Sequence, residues 1–179
     1  MKLYLKNLVQ LVLSPGKGWE DVSASHADDR GELLASFYRL LAVCSLSEFV
    51  QVLYGKTDIL TAVGLTLAMF GSYFISYFAA RAVIDHYMER FGEASPARIS
   101  GFVIYGLGLL VIIELIENLL PTDLTLVKFL PLFVGLILYR GSVYMSVRQG
   151  SEFGFLCLSA VAVIVVPIVL YSILSLIIS

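Results

Sequence analysis

FGFLCLSAVAVIVVPIVLYSILSLII, residues 153–178, decides the fold. It contains no Asp, Glu, Lys or Arg. About 20 predominantly apolar residues suffice to cross the hydrocarbon of a bilayer as a helix, and this stretch is longer than that. A helix that is apolar on every side has no face to offer water. Toward the N-terminus, four more apolar stretches precede it, at about 124–147, 99–120, 59–80 and 33–54. The predicted fold is therefore all-α, an integral membrane bundle of five transmembrane helices with an N-terminal interfacial amphipathic helix. Residues 1–179 are predicted to form a single membrane domain, of which 1–32 are a cytoplasmic or interfacial segment.

Composition agrees. Of the 179 residues, 59% are hydrophobic and 15% charged, with a mean hydropathy of +0.89. A soluble domain carries about 25% charged residues. The net charge of −2 argues against nucleic acid as a partner, since nucleic acid selects basic surfaces. The partners expected are membrane lipids, other membrane proteins or a second copy of the chain. Cys44 and Cys157 both lie in apolar runs and read as small buried hydrophobes rather than a disulfide pair.

Local signals set the boundaries. Leu5, Leu8, Val9 and Val12 fall on one face of a helix over residues 2–13, with Lys2, Lys6, Asn7 and Gln10 on the other. The segment is too short to span and too broken by polar residues for a cleaved signal peptide. It ends at Ser14-Pro15-Gly16. Trp19, the only tryptophan, has two readings: a headgroup-level anchor beside Lys17, or a ring packed against a loop. Thr57 or Asp58 is predicted to cap span two, whose helical pattern runs on through RAVIDHYMERF to Gly92. Ser95-Pro96 is a cap followed by proline at the first helical position of span three, and Pro121 stops that span. Thr122 or Asp123 is predicted to cap span four. Pro131 and Pro167 are expected to kink spans four and five.

Basic residues orient the chain. Lys2, Lys6, Lys17, Arg30, Arg81, Arg90, Arg98 and Arg148 fall on one side of a five-span arrangement, and only Lys56 and Lys128 on the other. The positive-inside bias predicts a cytoplasmic N-terminus and a C-terminus outside. Without span one this bias breaks, so it also supports that span.

Ionisable residues within spans are costly and are the candidate site. At about 1.5 Å per residue, Arg39 and Arg140 lie about six or seven residues from the inner ends of spans one and four. Glu48 and Glu114 each lie about fifteen residues into spans one and three, with Glu117 and Asn118 one turn beyond Glu114. An acidic layer toward the outside and a basic layer toward the inside follow. All four of Arg39, Arg140, Glu48 and Glu114 are predicted to line the bundle interior, where spans one, three and four meet, as candidates for binding lipid or ions. Two readings stand: a cation site or a cleft for a phosphate-bearing headgroup, or glutamates that hydrogen-bond between helices and arginines that snorkel.

Asp85, His86 and Glu89 read as a solvated helix face rather than a metal site. Gly64, Ala68 and Gly71 form a small-residue stripe, and Gly71→Leu is expected to destabilise more than Leu67→Ala. No HExxH, P-loop or GxSxG motif is present, so neither an enzyme nor a cofactor is predicted.

SPGKGWEDV ahead of the spans, FGEASPARISGFVIYG after span two, and LYRGSVYMSVRQG in span four, with Tyr139, Gly141 and Met145 in an aromatic-Gly-Met pattern, complete the set. In this order they resemble the bacterial branch of the YIP family, named for Ypt/Rab-interacting proteins. The resemblance covers nearly the whole chain. It implies five spans, a cytoplasmic N-terminus in the bacterial inner membrane, a role in membrane organisation or trafficking, and no catalytic residues. The expected function is a non-enzymatic scaffold that engages lipid or partner proteins. The rival is a small transporter or channel component built on Glu48, Glu114 and Glu117.

Overall fold

A computed structural model describes residues 1–25, 30–122 and 126–178. Helices follow one another as α1 (Lys2–Leu13), α2 (Pro15–Ser25), α3 (Arg30–Ser45), α4 (Glu48–Leu53), α5 (Ile59–Phe91), α6 (Pro96–Leu119), α7 (Leu130–Ser142), α8 (Glu152–Ala160) and α9 (Val166–Ile178). Five segments are long and apolar enough to cross a membrane: Gly31–Leu53, Ile59–Phe91, Pro96–Leu119, Val127–Met145 and Glu152–Ile178. Successive spans alternate in direction. We call the end where α6 begins proximal and the end where it finishes distal.

Two caps act as the sequence predicts, whereas in span four the described helix begins at Val127 behind Leu126, with no side-chain cap and not directly behind Thr122. The Asp58 side chain accepts from Thr61 N–H, which holds its carboxyl below the usual range, and Ser95 accepts from Arg98 N–H ahead of Pro96. Span two is one helix to Phe91, so the charged RAVIDHYMERF stretch continues it. Asp123 and Leu124 lie outside the described residues. Pro131 is not a kink. It occupies the first turn of α7, where its missing N–H costs nothing. Pro167 does perturb its span: a π-helical stretch, Val161–Val165, precedes it, the usual accommodation of a break in the i→i−4 ladder.

Span three forms the centre. Every residue from Ile99 to Val111 is buried, as expected of a helix apolar on all sides. It packs against α3, α5 and α7, while α5 also packs against α9. Glycines allow close approach in span three and also at the start of span two, where a Cβ on Gly64 would stand 2.6 Å from Ile178 of α9. A Cβ on Gly106 would stand 2.7 Å from Val163, and one on Gly71 would meet nothing within 4 Å. The expectation that Gly71 sits at a tight crossing is thus corrected. Gly106→Leu is expected to cost about 1–3 kcal/mol and Gly71→Leu less than about 0.5 kcal/mol, as read by melting in detergent.

The N-terminal helix departs most from expectation. Its buried face is Tyr4, Asn7, Leu8 and Leu11, not the Leu5–Val9–Val12 face. Tyr4 Oη donates to the Ile104 carbonyl at 3.3 Å, and Asn7 Nδ2 donates to Tyr105 Oη at 3.0 Å. A Cβ at Gly108 would collide with the Tyr4 hydroxyl, so glycine there seats the ring. From Pro96 to Tyr105 is about 14 Å at the α-helical rise. Thus α1 docks on the flank of α6 near its middle and leaves Leu5, Val9, Val12 and Leu13 exposed. The amphipathic pattern hides this because a membrane helix with two apolar faces shows lipid one and protein the other.

α2 returns toward the proximal end. Trp19 is 3% exposed, stacks on Phe102 at 5.4 Å and donates its indole N–H to the Ile137 carbonyl at 2.8 Å. Its ring lies against Gly141, where a Cβ would approach to 2.5 Å. Of the two readings of Trp19, packing holds, and the partners are spans three and four. Cys44 is buried and Cys157 exposed, both free, which corrects the reading of Cys157 as buried.

Candidate functional site: an acidic cluster at the distal end

Span one is not continuous. Ser45 Oγ donates to the Leu41 carbonyl at 2.7 Å, and the amides of Ser47, Phe49 and Val50 bond three residues back. This tight turn separates α3 from α4 and points the first residue of α4, Glu48, into the bundle at 2% exposure.

Asn118 of α6 is the hub. Its Nδ2 donates to Glu48 Oε1 and to Ser47 Oγ, each at 3.0 Å, and its Oδ1 accepts from Gln51 Nε2 at 3.2 Å. Tyr171 of α9 donates its hydroxyl to Glu48 Oε1 at 2.6 Å. One turn earlier on α6, Glu114 is half-buried and accepts a long hydrogen bond, 3.4 Å, from Tyr73 of α5. Glu48 and Glu117 both lie close enough to repel its charge. Tyr54 donates to the Leu119 carbonyl at 2.8 Å and fastens the end of span one to the end of span three.

The three predicted carboxylates therefore gather at the distal end, Glu48 bonded to Asn118 and Tyr171, Glu114 to Tyr73, and Glu117 one turn on along α6. The predicted basic layer does not form. Arg39 and Arg140 are both exposed, and neither joins the cluster or lines the interior. Arg140 stands two residues from the proximal end of α7, where a long aliphatic stem carries the guanidinium to the interface at little cost, whereas Arg39 lies nine residues into α3 on its exposed side. Span four also stays out. The cluster is built by spans one, two, three and five, because α7 packs on α6, α8 and α2 instead. Tyr73, Tyr171, Ser47 and Gln51 were not singled out in the sequence. The available signal was a tyrosine within an apolar span, whose hydroxyl must find a partner there.

His86 and Glu89 are exposed and 3.6 Å apart on the proximal part of α5. Among the described residues no group of three His, Cys, Asp or Glu is placed to hold a metal ion.

Fold and cluster together define an all-α protein of the five-span membrane class with a hydrogen-bonded acidic cluster at one end. The chain matches no family model, no curated protein and no solved structure.

Proposed function

We propose that this chain is a non-enzymatic membrane-organising protein of the YIP type, acting through contact with lipid and with partner membrane proteins. The observation that carries the reading is the position of α1 and α2. α2, packed at Phe102, Ile137 and Gly141, adds cross-section to the proximal half of the bundle, while α1 crosses α6 near its middle at Ile104 and Tyr105. On the distal side of α1 an apolar groove lies open between α6 and α7, bounded by Leu109, Ile113, Phe133 and Val134. In this reading the proximal end, with its extra layer of α2, is the wider one, and the exposed Leu5, Val9 and Val12 are the side turned to acyl chains. Such a wedge favours membrane curved toward its narrow end. The basic-residue bias supports the proximal end as the cytoplasmic one, in a bacterial inner membrane.

Vesicles reconstituted with the full chain are expected to be smaller and more tubular by electron cryomicroscopy than those with an unrelated five-span protein. Val9→Ser with Val12→Ser, outside the packed face, should reduce the effect. Vesicles of equal diameter in all three preparations would refute the reading. Orientation is checked in a Cys44→Ala, Cys157→Ala background. Ala24→Cys should react with an impermeant thiol reagent only from the cytoplasmic side, and Ser179→Cys only from outside. Labelling of both from one side would overturn the five-span topology.

The second reading, a small transporter or channel component, is favoured by three carboxylates gathered from two spans. Against it, both donors near Glu48 are structural partners, and Arg39 and Arg140 face outward. Sodium, potassium or proton flux into the same vesicles, abolished by Glu48→Gln, would favour that reading over the scaffold.

A further inference from the structure

Where α2 crosses the start of α6 and the end of α7, the proximal end holds a cleft of about 210 Å³. Its floor is apolar, formed by Trp19, Gly101, Phe102 and Met145. Gly101 is buried, yet a Cβ built there would meet nothing within 4 Å, so the space above it is a void rather than a packed contact. Interiors seldom leave gaps larger than a water molecule. Water does not settle on such a floor, because it needs two to four polar partners. An apolar group fits it.

The rim has different chemistry. Arg98 and Ser95 border the cleft at the first turn of a 24-residue helix. Arg98 is exposed, and among the described residues no carboxylate lies within ion-pair distance of it. Pro96 has no N–H, and Ser95 Oγ caps the Arg98 amide at 3.3 Å, so the helix start is only partly satisfied. Glu20 stands beside Tyr144, which also borders the cleft, and is the neighbouring negative charge. Arg98 precedes the predicted hydrocarbon boundary at residue 99, and Phe102 lies about 6 Å deeper along the helix. Cation above and apolar floor below match a molecule with an anionic group on an apolar chain.

We propose that this cleft binds one anionic phospholipid, with its phosphate at Arg98 and the first part of an acyl chain over Gly101 between Trp19 and Phe102. This site rests on the membrane-embedded reading given above. It deepens that reading by naming the lipid class.

The full chain, purified in detergent, is incubated with dioleoylphosphatidylglycerol or dioleoylphosphatidylcholine and weighed by native mass spectrometry. Wild type should retain one phosphatidylglycerol about tenfold more tightly than phosphatidylcholine, the worth of one hydrogen-bonded charge contact. Arg98→Gln should erase that preference. Gly101→Leu, whose side chain occupies the void without displacing a neighbour, should lose both lipids while melting no lower than wild type. Equal retention of the two lipids by wild type, or undiminished retention in Gly101→Leu, overturns the site. Should Gly101→Leu fail to fold, the exposed Arg98→Gln decides alone, and an unchanged preference overturns it. Inorganic phosphate that raises the melting temperature as much as the lipid does, dependent on Arg98, would replace the lipid with a simple anion. Vesicle shape is read separately. Curvature kept while lipid retention is lost removes this site and leaves the scaffold, and the converse removes the scaffold and leaves the site.

Discussion

Trp19→Ala is expected to lower stability by about 3–5 kcal/mol, the largest single loss anticipated here. The ring is fully enclosed, contributes aromatic contacts with Phe102 and Tyr105, and supplies the N–H that the Ile137 carbonyl accepts. Its removal leaves a cavity between α2, α6 and α7, with Tyr144, which donates to the Gly16 carbonyl at 3.2 Å, left to hold α2 to span four. Gly141→Leu attacks the same contact from the other side, since its Cβ would stand 2.5 Å from the indole. Unfolding in mixed micelles, followed by circular dichroism, measures both. A Trp19→Ala loss below about 1 kcal/mol would mean that α2 lies loosely on the bundle. Because the two variants disturb one contact, their effects should not add.

The second large effect is at the distal hub. Asn118→Leu leaves Glu48 with Tyr171 as its donor among the described residues and removes the partner of Ser47, while Gln51 keeps only the backbone carbonyl of residue 118. Each buried polar group stranded this way costs about 1–3 kcal/mol. The total should exceed that of Glu48→Gln, which keeps shape and one acceptor oxygen and should cost about 1 kcal/mol. Denaturant titration of the two variants in the same detergent separates them. Equal losses would show that Asn118 does not organise the cluster.

Signals confined to a few neighbouring residues were legible in the sequence. Asp58 and Ser95-Pro96 marked helix starts because a cap is a bond between residues three apart. Span lengths followed from hydrocarbon thickness. That Glu48 and Glu114 come to the same end of the bundle was also readable, since rise per residue is constant. Rotation about the helix axis was not readable. A span buried or lipid-bathed on all sides has no polar face to announce which way it turns, so Arg39 and Arg140 were placed inside on depth alone. The same blindness hid Tyr171, which lies 123 positions from the carboxylate it serves. Trp19 and Gly141 are 122 apart (141 − 19), and neither residue type by itself names the other. In α1 the apolar pattern was correct as to period. It did not show the second, protein-facing side of Tyr4, Asn7 and Leu11, because Asn7 counts as polar until Tyr105 is known to meet it.

The break in span one has a consequence for biogenesis. Glu48 emerges from the ribosome long before the groups that satisfy it, Asn118 being 70 residues later and Tyr171 123 residues later. At about 5–20 residues per second, that delay is roughly 4–14 s for the first donor and 6–25 s for the second. Throughout it span one carries an uncompensated acid beside a break in its helix. The acid is partnered only once the third and fifth spans have been made. Made ahead of both, span one is locked in place by the later of them.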